Sequence, residues 1–227
     1  MTDISEPGTR QVVHLSISSA QPIGPKLVAQ VEQACARAED LPGVTVVLRL
    51  TGGRPATTDT DLSIHTVNRW ERALRRLERL DGVAIAVADG LCAGPALEAL
   101  LAADYRIAGP DLLLRFSPEA GDPWPGMAVH RVANQLGVAR ARGLVLFGAE
   151  WTATTAATLG LIDEVTTELD EAVARRTAAT RDLVGSELAI RRRLLMEASA
   201  VSFEDALGTH LAACDRTLRR MKGTQPA

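Results

Sequence analysis

The sequence is poor in aromatic residues. Only 3% of its 227 residues are Phe, Trp or Tyr, whereas 46% are hydrophobic. A buried core must therefore be built mainly from Ala, Val, Leu and Ile. A chain of this length suits one globular domain, or one domain with a helical appendage.

Cysteines and long apolar runs are scarce as well. The three cysteines, Cys35, Cys92 and Cys214, lie far apart and form no Cys-x-x-Cys pair, so neither a disulfide framework nor a metal site is expected. No apolar run approaches the roughly 18–20 residues that cross a bilayer. Residues 1–10 are polar and do not resemble a signal peptide. We therefore expect a cytoplasmic protein that does not contact a membrane.

The sequence has no excess of positive charge. Its net charge is −3 and its pI is about 5.8, whereas a nucleic-acid partner would need a basic surface. The arginine-rich segments 72–79, 191–193 and 216–220 alternate with leucine on helical patterns. This favours solvated helix faces, and contact with ligand phosphates or a partner is the alternative.

Strand patterns alternate with helix patterns in the first part of the chain. The apolar spacing predicts strands over 12–18, 44–50 and 83–88, and helices over 27–39 and 63–80. The second helix would carry its apolar residues on one face, namely Ile64, Val67, Trp70, Leu74 and Leu77. Such alternation favours an α/β fold with a largely parallel sheet. The pattern is helical from Met127 onward, with breaks at Gly148 and Gly160, and residues 168–222 carry no strand signal. We expect an α/β core over residues 1–165 and a helical region over 166–227.

Residues 89–98, Asp-Gly-Leu-Cys-Ala-Gly-Pro-Ala-Leu-Glu, are the most informative segment. A buried strand, a glycine-bearing turn and a helix start would make a cradle of N–H groups for a ligand. We expect Gly94 to be the N-cap and Pro95 the first helical residue, where proline is favoured. Glu98 then lies about one turn into the helix. The alternative is purely structural: a glutamate that stabilises the helix terminus.

A second carboxylate, Glu119, lies on a Pro- and Gly-rich loop over residues 117–126. Loops just past strand ends commonly carry the sites of α/β proteins. Two neighbouring carboxylates can act as acid and base on a water molecule. Taken alone, Glu119 could equally be an exposed loop residue.

Five segments, in order, carry a resemblance to the enoyl-CoA hydratase/isomerase (crotonase) superfamily between about residues 10 and 220. These segments are 48–52 with Asp61-Leu62, 89–98, 103–108, Pro118-Glu119 with Pro125-Gly126, and 139–146 with 160–165. Each is weak alone, but their order and spacing together are specific. The resemblance implies a ββα spiral fold with a C-terminal region that forms trimers or dimers of trimers. It also implies an acyl-CoA thioester substrate, with coenzyme A as part of the substrate and no further cofactor.

The resemblance also implies roles for single residues. Glu98 and Glu119 match the two catalytic glutamates of hydratases. Two backbone N–H groups of the family hold the thioester oxygen as it becomes an enolate, and their positions match Thr60 and Pro95. The substrate-binding residues would thus be Thr60, Leu62, Gly94, Pro95 and Ala96.

Pro95 departs from the family pattern because proline has no N–H. Loss of one such donor typically lowers the rate by roughly 10²–10³. Asp59, where the family usually has glycine, is a second departure that would oppose an enolate. Three explanations are open: the Ala96 N–H replaces the missing donor, the reaction needs less enolate stabilisation because its product becomes aromatic, or catalysis has been lost.

Length and the segment 92–98 further resemble the small crotonase-type dehydratases of dihydroxyphenylglycine biosynthesis, an antibiotic pathway. This implies dehydration of a polyketide-derived CoA thioester towards 3,5-dihydroxyphenylacetyl-CoA, alongside a type III polyketide synthase. One alternative is an auxiliary subunit that stimulates the synthase with little catalysis of its own. Another is a thioester hydrolase or isomerase on the same fold. A nucleotide-binding fold is disfavoured because neither Gly-x-Gly-x-x-Gly nor a P-loop is present.

Overall fold

The computed structural model describes residues 12–41, 43–53, 62–116, 126–180 and 186–223. The strands within these ranges are β1 (Val12–Ser18), β2 (Thr45–Thr51), β3 (Val83–Asp89), β4 (Leu91–Cys92), β5 (Tyr105–Ala108), β6 (Leu113–Leu114), β7 (Trp151–Thr152) and β8 (Glu164–Val165). The helices are α1 (Pro25–Glu39), α2 (Ile64–Leu77), α3 (Gly94–Leu101), α4 (Met127–Leu136), α5 (Val138–Phe147), α6 (Ala153–Thr158), α7 (Leu169–Ala179), α8 (Ser186–Glu197) and α9 (Phe203–Gly223).

Five strands form a parallel sheet in the order β1-β2-β3-β5-β8. Ser18, Thr51 and Asp89 are in register at the carboxyl ends of the first three strands, so the segments that follow these strands begin at one edge. A second sheet has the order β4-β6-β7, with β6 and β7 antiparallel. The predicted α/β fold with a largely parallel sheet and a helical C-terminal region is confirmed.

Both faces of the parallel sheet are covered, which explains the nearly continuous apolar runs of β2 and β3. Successive residues of a strand point to opposite faces. Ala84 and Ala86 therefore join the larger core with α1, α2 and α3, whereas Ile85 and Val87 pack in a second core against α7. The small alanines leave room for the helices on the first face.

Several predicted details are wrong. Ile64 was expected on the buried face of the second helix but is 83% exposed, because it is the first residue of α2 and lies beyond the core. Ser63 caps α2, and its hydroxyl accepts a hydrogen bond from the Thr66 N–H at 3.2 Å. Gly137 separates α4 from α5, a break that the helical pattern did not predict.

The C-terminal helices differ in how they contact the sheet. Ala172 and Val173 of α7 are part of the second core. Arg192 of α8 donates to both carboxylate oxygens of Asp104 at 2.6 and 2.7 Å, and to the carbonyls of Leu80 and Gly82. Most side chains of α9 are exposed. The boundary at residue 165 stays a prediction. None of the helices in the described ranges is long and apolar enough to cross a membrane.

Candidate active site

The segment that joins β3 to α3, residues 90–93, contains the short strand β4 and is here called the site turn. Helix α3, which follows the site turn, begins one residue earlier than predicted: Ala93 is the N-cap, Gly94 the first helical residue and Pro95 the second. Gly94 has a φ of +50°, a backbone conformation that glycine adopts without strain. The expectation that Gly94 caps the helix is therefore wrong, because this left-handed residue already lies within the first turn.

Ser19, directly after β1, holds the site turn in place. Its buried hydroxyl accepts a hydrogen bond from the Ala93 N–H at 3.1 Å and donates one to the Leu91 carbonyl at 2.8 Å. The Ser19 N–H in turn donates to the Thr51 carbonyl at 3.0 Å. The ends of β1 and β2 are thereby tied to the residues that precede α3.

The first turn of α3 offers fewer N–H donors than an ordinary helix. The N–H groups of a first helical turn have no partner within the helix, so those of Gly94 and Ala96 have no acceptor within α3. Pro95 between them has no N–H to offer. Its presence costs the helix little, since an N–H at this position would have had no intrahelical acceptor.

Glu98 is the predicted catalytic residue that the structure describes most fully. Its side chain is only 2% exposed, and its Oε2 accepts a hydrogen bond from the indole Nε1–H of Trp70 at 2.5 Å. Burial raises the pKa of Glu98 to about 7, although the Trp70 hydrogen bond acts in the opposite direction. Its carboxyl can therefore both release and take up a proton near neutral pH.

A buried ion network lies beside Glu98. Arg131 of α4 donates to Glu78 at 2.6 Å and to Glu71 at 2.9 Å, and Glu71 also accepts from the Met127 N–H at 2.9 Å. Negative charge on Glu71 raises the pKa of Glu98, and positive charge on Arg131 lowers it. The network thus fixes α4 against α2 and affects the charge of Glu98.

The other predicted site residues are described only in part. Thr60 and Glu119 lie outside the described residues, as does Asp59. Leu62 is half-buried and precedes the cap of α2. Ala96 is fully buried and Gly94 is partly exposed. The structure therefore brings together Gly94, Pro95, Ala96 and Glu98 on one helix start.

Cys92 lies in the site turn but is not suited to nucleophilic catalysis. Burial raises the pKa of its thiol to about 12, so the thiol is protonated near neutral pH, whereas the thiolate is the reactive form. Nor do the described ranges contain three His, Cys, Asp or Glu side chains grouped to hold a metal ion.

Residues of the segments 103–108 and 160–165 have structural roles. Asp104 accepts from the Ala84 N–H at 2.8 Å and from Arg192. The buried guanidinium of Arg106 donates to carbonyls that include those of Leu101 and Ala103. Asp163 accepts from the Arg106 N–H at 2.8 Å. These side chains join α3, β5 and the segment before β8 rather than line the site turn.

Sequence reasoning missed three residues that shape the site: Ser19, Trp70 and Arg131. Trp70 was assigned to the apolar face of a helix, which is correct for its ring. The available signal was its indole N–H, since a buried tryptophan usually needs an acceptor for this group. No comparable pattern in the sequence marks Ser19.

Comparison with known proteins supports the resemblance. Residues 58–225 match the family model for enoyl-CoA hydratase/isomerase. A protein of Amycolatopsis orientalis named enoyl-CoA-hydratase is 44% identical over 207 residues, which cover 91% of this chain and 95% of that protein.

Solved structures show the same fold at lower identity. An enoyl-CoA hydratase/isomerase from Marinobacter aquaeolei is similar with a TM-score of 0.76 and 18% identity, over 93% of this chain and 90% of that one. An enoyl-CoA hydratase from Bacillus anthracis gives a TM-score of 0.74 and 22% identity, over 95% and 92% of the two chains.

Proposed function

The chain belongs to the enoyl-CoA hydratase/isomerase family, and on that premise we propose that it adds water to, or removes water from, an acyl-CoA thioester. The observation that carries this proposal is the buried Glu98, whose pKa of about 7 lies where a proton-transfer group is most effective. It lies on the helix whose first turn presents the N–H donors of Gly94 and Ala96.

In the dehydration direction, the reaction needs two proton transfers. A base removes the proton from the carbon next to the thioester carbonyl, and an acid protonates the hydroxyl group that leaves as water. Glu98 takes one of these roles and Glu119 the other. The negative charge that develops on the thioester oxygen needs N–H donors, and we assign them to Ala96 and Thr60 because Pro95 cannot donate.

In finer terms, the substrate is a cyclised polyketide-derived CoA thioester that becomes 3,5-dihydroxyphenylacetyl-CoA, in dihydroxyphenylglycine biosynthesis. A product that gains aromaticity places less demand on enolate stabilisation, which fits the missing N–H at Pro95. The substrate would then come from a type III polyketide synthase in the same cytoplasmic compartment.

The test is turnover of defined thioesters. The purified protein is incubated with β-hydroxyacyl-CoA substrates and with the product mixture of a type III polyketide synthase, and products are identified by mass spectrometry. Loss of one water is expected, and Glu98→Gln and Glu119→Gln should each abolish it. Unchanged turnover in both variants would refute the acid–base assignment. Hydrolysis of the thioester or migration of its double bond would indicate the alternative enzymes on this fold.

A second candidate function is that of an auxiliary subunit that stimulates the synthase. Pro95 favours this function, because proline at this position lacks the N–H that the family uses as a donor but leaves helix α3 intact. In a mixed assay, Glu98→Gln would then stimulate the synthase as well as the unmodified protein does. Failure to change the rate or product profile of the synthase would exclude this function.

We also infer a homo-oligomer, either a trimer or a dimer of trimers. The surface of α9 carries exposed apolar side chains at spacings of three, four and seven residues, which are typical of a helix that packs on a partner. These are Leu207, Leu211, Leu218 and Met221. Light scattering on the purified protein tests the mass, and Leu211→Glu should lower it, whereas Thr209→Glu on the same helix serves as the control.

A further inference from the structure

In the hydrogen bond between Trp70 and Glu98, the donor and acceptor roles cannot be exchanged. An indole N–H can donate a hydrogen bond but cannot accept one, so Oε2 of Glu98 must remain an acceptor as long as the contact holds. We propose that Trp70 is a positioning residue: it holds Oε2 and leaves Oε1 as the oxygen that carries the exchangeable proton.

The side chains of Trp70 and Glu98 both project from helices into the protein interior. Trp70 is fully buried on α2, and Glu98 is buried on α3. The ring cannot turn without disturbing the core around Leu74 and Leu77, with which it shares the buried face of α2. Oε2 is therefore held by a contact between two helices.

The guanidinium of Arg131, which lies near Glu98, is paired with two other carboxylates. Arg131 of α4 directs its Nε to Glu78 and its Nη1 to Glu71. Glu71 of α2 adds negative charge near Glu98, and Arg131 adds positive charge. In the part of the chain that the structure describes, the hydrogen bond to Glu98 comes from Trp70, so its removal should alter the titration of Glu98 directly.

A merely structural role makes a different prediction. If Trp70 only fills the core, its replacement lowers the free energy of unfolding and leaves the pKa of Glu98 unchanged. If it positions the carboxylate, the N–H stabilises the charged form, and Trp70→Phe must raise the pKa of Glu98. A hydrogen bond to a charged group is strong enough to move the titration midpoint by about one pH unit.

The first measurement uses the unmodified protein and needs no substrate. In a two-dimensional NMR spectrum, the Trp70 indole N–H signal should shift with pH around a midpoint of about 7, where Glu98 titrates. In Glu98→Gln this pH dependence should vanish. A Trp70 signal that is independent of pH across this range would overturn the proposal even if no Trp70 variant folds.

The second measurement follows the Glu98 carboxyl carbon by NMR in Trp70→Phe. Trp151→Phe is the matched control, because Trp151 is also a buried indole but is not bonded to Glu98. We expect the Glu98 midpoint to rise by about one pH unit in Trp70→Phe and to stay in place in Trp151→Phe. An unchanged midpoint in a folded Trp70→Phe overturns the proposal.

Transfer of the Oε1 proton to a substrate rests on the proposed function. Kinetics separate a failure of that function from a failure of the positioning role of Trp70. With an acyl-CoA that is turned over, the pH–rate limb that reports Glu98 should move by the same amount in Trp70→Phe, mainly in kcat. If both titrations behave as expected but no thioester is turned over, the positioning of Glu98 by Trp70 is supported and the proposed enzymatic function is refuted.

Discussion

Ser19 accepts a hydrogen bond from the Ala93 N–H at 3.1 Å, although 74 residues separate the two along the chain. This contact joins the end of the first strand to the N-cap of α3. Because the same hydroxyl donates to the Leu91 carbonyl, it holds the backbone that leads into the first turn of α3.

We expect Ser19→Ala to lower kcat more than it raises KM, since a displaced helix start weakens contacts made in the transition state. Loss of a buried partner should also lower the free energy of unfolding by about 1–3 kcal/mol. Steady-state kinetics and urea denaturation test both effects. The exposed Ser16→Ala serves as the control, and equal kinetics for the two variants would contradict the role of Ser19.

Glu98→Gln should change the dependence of stability on pH. The pKa of Glu98 in the folded protein is about 7 and its ordinary value is 4.5, so the folded state binds more protons between these values. Its contribution to stability is therefore present below about pH 4.5 and is lost as the pH rises through about 7, a loss of about 3 kcal/mol.

Glutamine carries no charge and can still accept from Trp70. At about pH 8 the variant should accordingly be more stable than the unmodified protein, and this difference should shrink towards about pH 5. Urea denaturation at both pH values checks the prediction. A difference that is the same at both would show that Glu98 does not titrate in this range.

Pro95→Ala restores an N–H in the first turn of α3. If this position faces the thioester oxygen, the added donor should raise kcat about tenfold or more. The substitution should barely change stability, because the N–H has no intrahelical partner. Kinetics on a thioester that is turned over measure the effect, with Pro110→Ala as a control for proline removal. An unchanged kcat would show either that the enolate oxygen binds elsewhere or that the reaction needs no donor at this position, as proposed for a product that becomes aromatic.

Gly82→Ala should destabilise the protein. A Cβ at this position would lie 2.0 Å from the Val44 carbonyl oxygen, and the Gly82 carbonyl also accepts from Arg192 at 2.7 Å. The backbone must shift, at a cost of about 1–3 kcal/mol or more. In contrast, Gly208→Ala in α9 meets nothing within 4 Å and should stabilise by about 0.5–1 kcal/mol. Thermal denaturation of both variants tests the contrast, which fails if Gly82→Ala melts like the unmodified protein.

The alternation of strand and helix patterns was sufficient to predict the parallel sheet, because each apolar run has two buried faces to fill. It was also sufficient to place Glu98 on a helix that follows β3. The two-residue strands β4 and β7 escaped prediction, since two residues show no period. The N-cap was wrong by one residue because the left-handed Gly94 belongs to the helix, and no pattern distinguishes these two positions.

The contacts of Trp70 and Ser19 could not be predicted for a different reason. Periodicity shows which face of α2 is buried but not which polar atom lies opposite Trp70, since that depends on how α2 and α3 cross. Ser19 meets Ala93 only because β1 and the site turn end at the same edge of the sheet. Both contacts are consequences of tertiary packing.

The contrast between α8 and α9 has a consequence for amide hydrogen exchange. Arg192 anchors α8 to Asp104, Leu80 and Gly82, whereas α9 has few buried side chains along its 21 residues. Backbone amides exchange through local opening, and the least buried elements open at the lowest free energy. In a single chain α9 should thus lose its protection first. If protomers assemble through α9, as proposed above, the exchange rate of its amides measures how completely they are assembled.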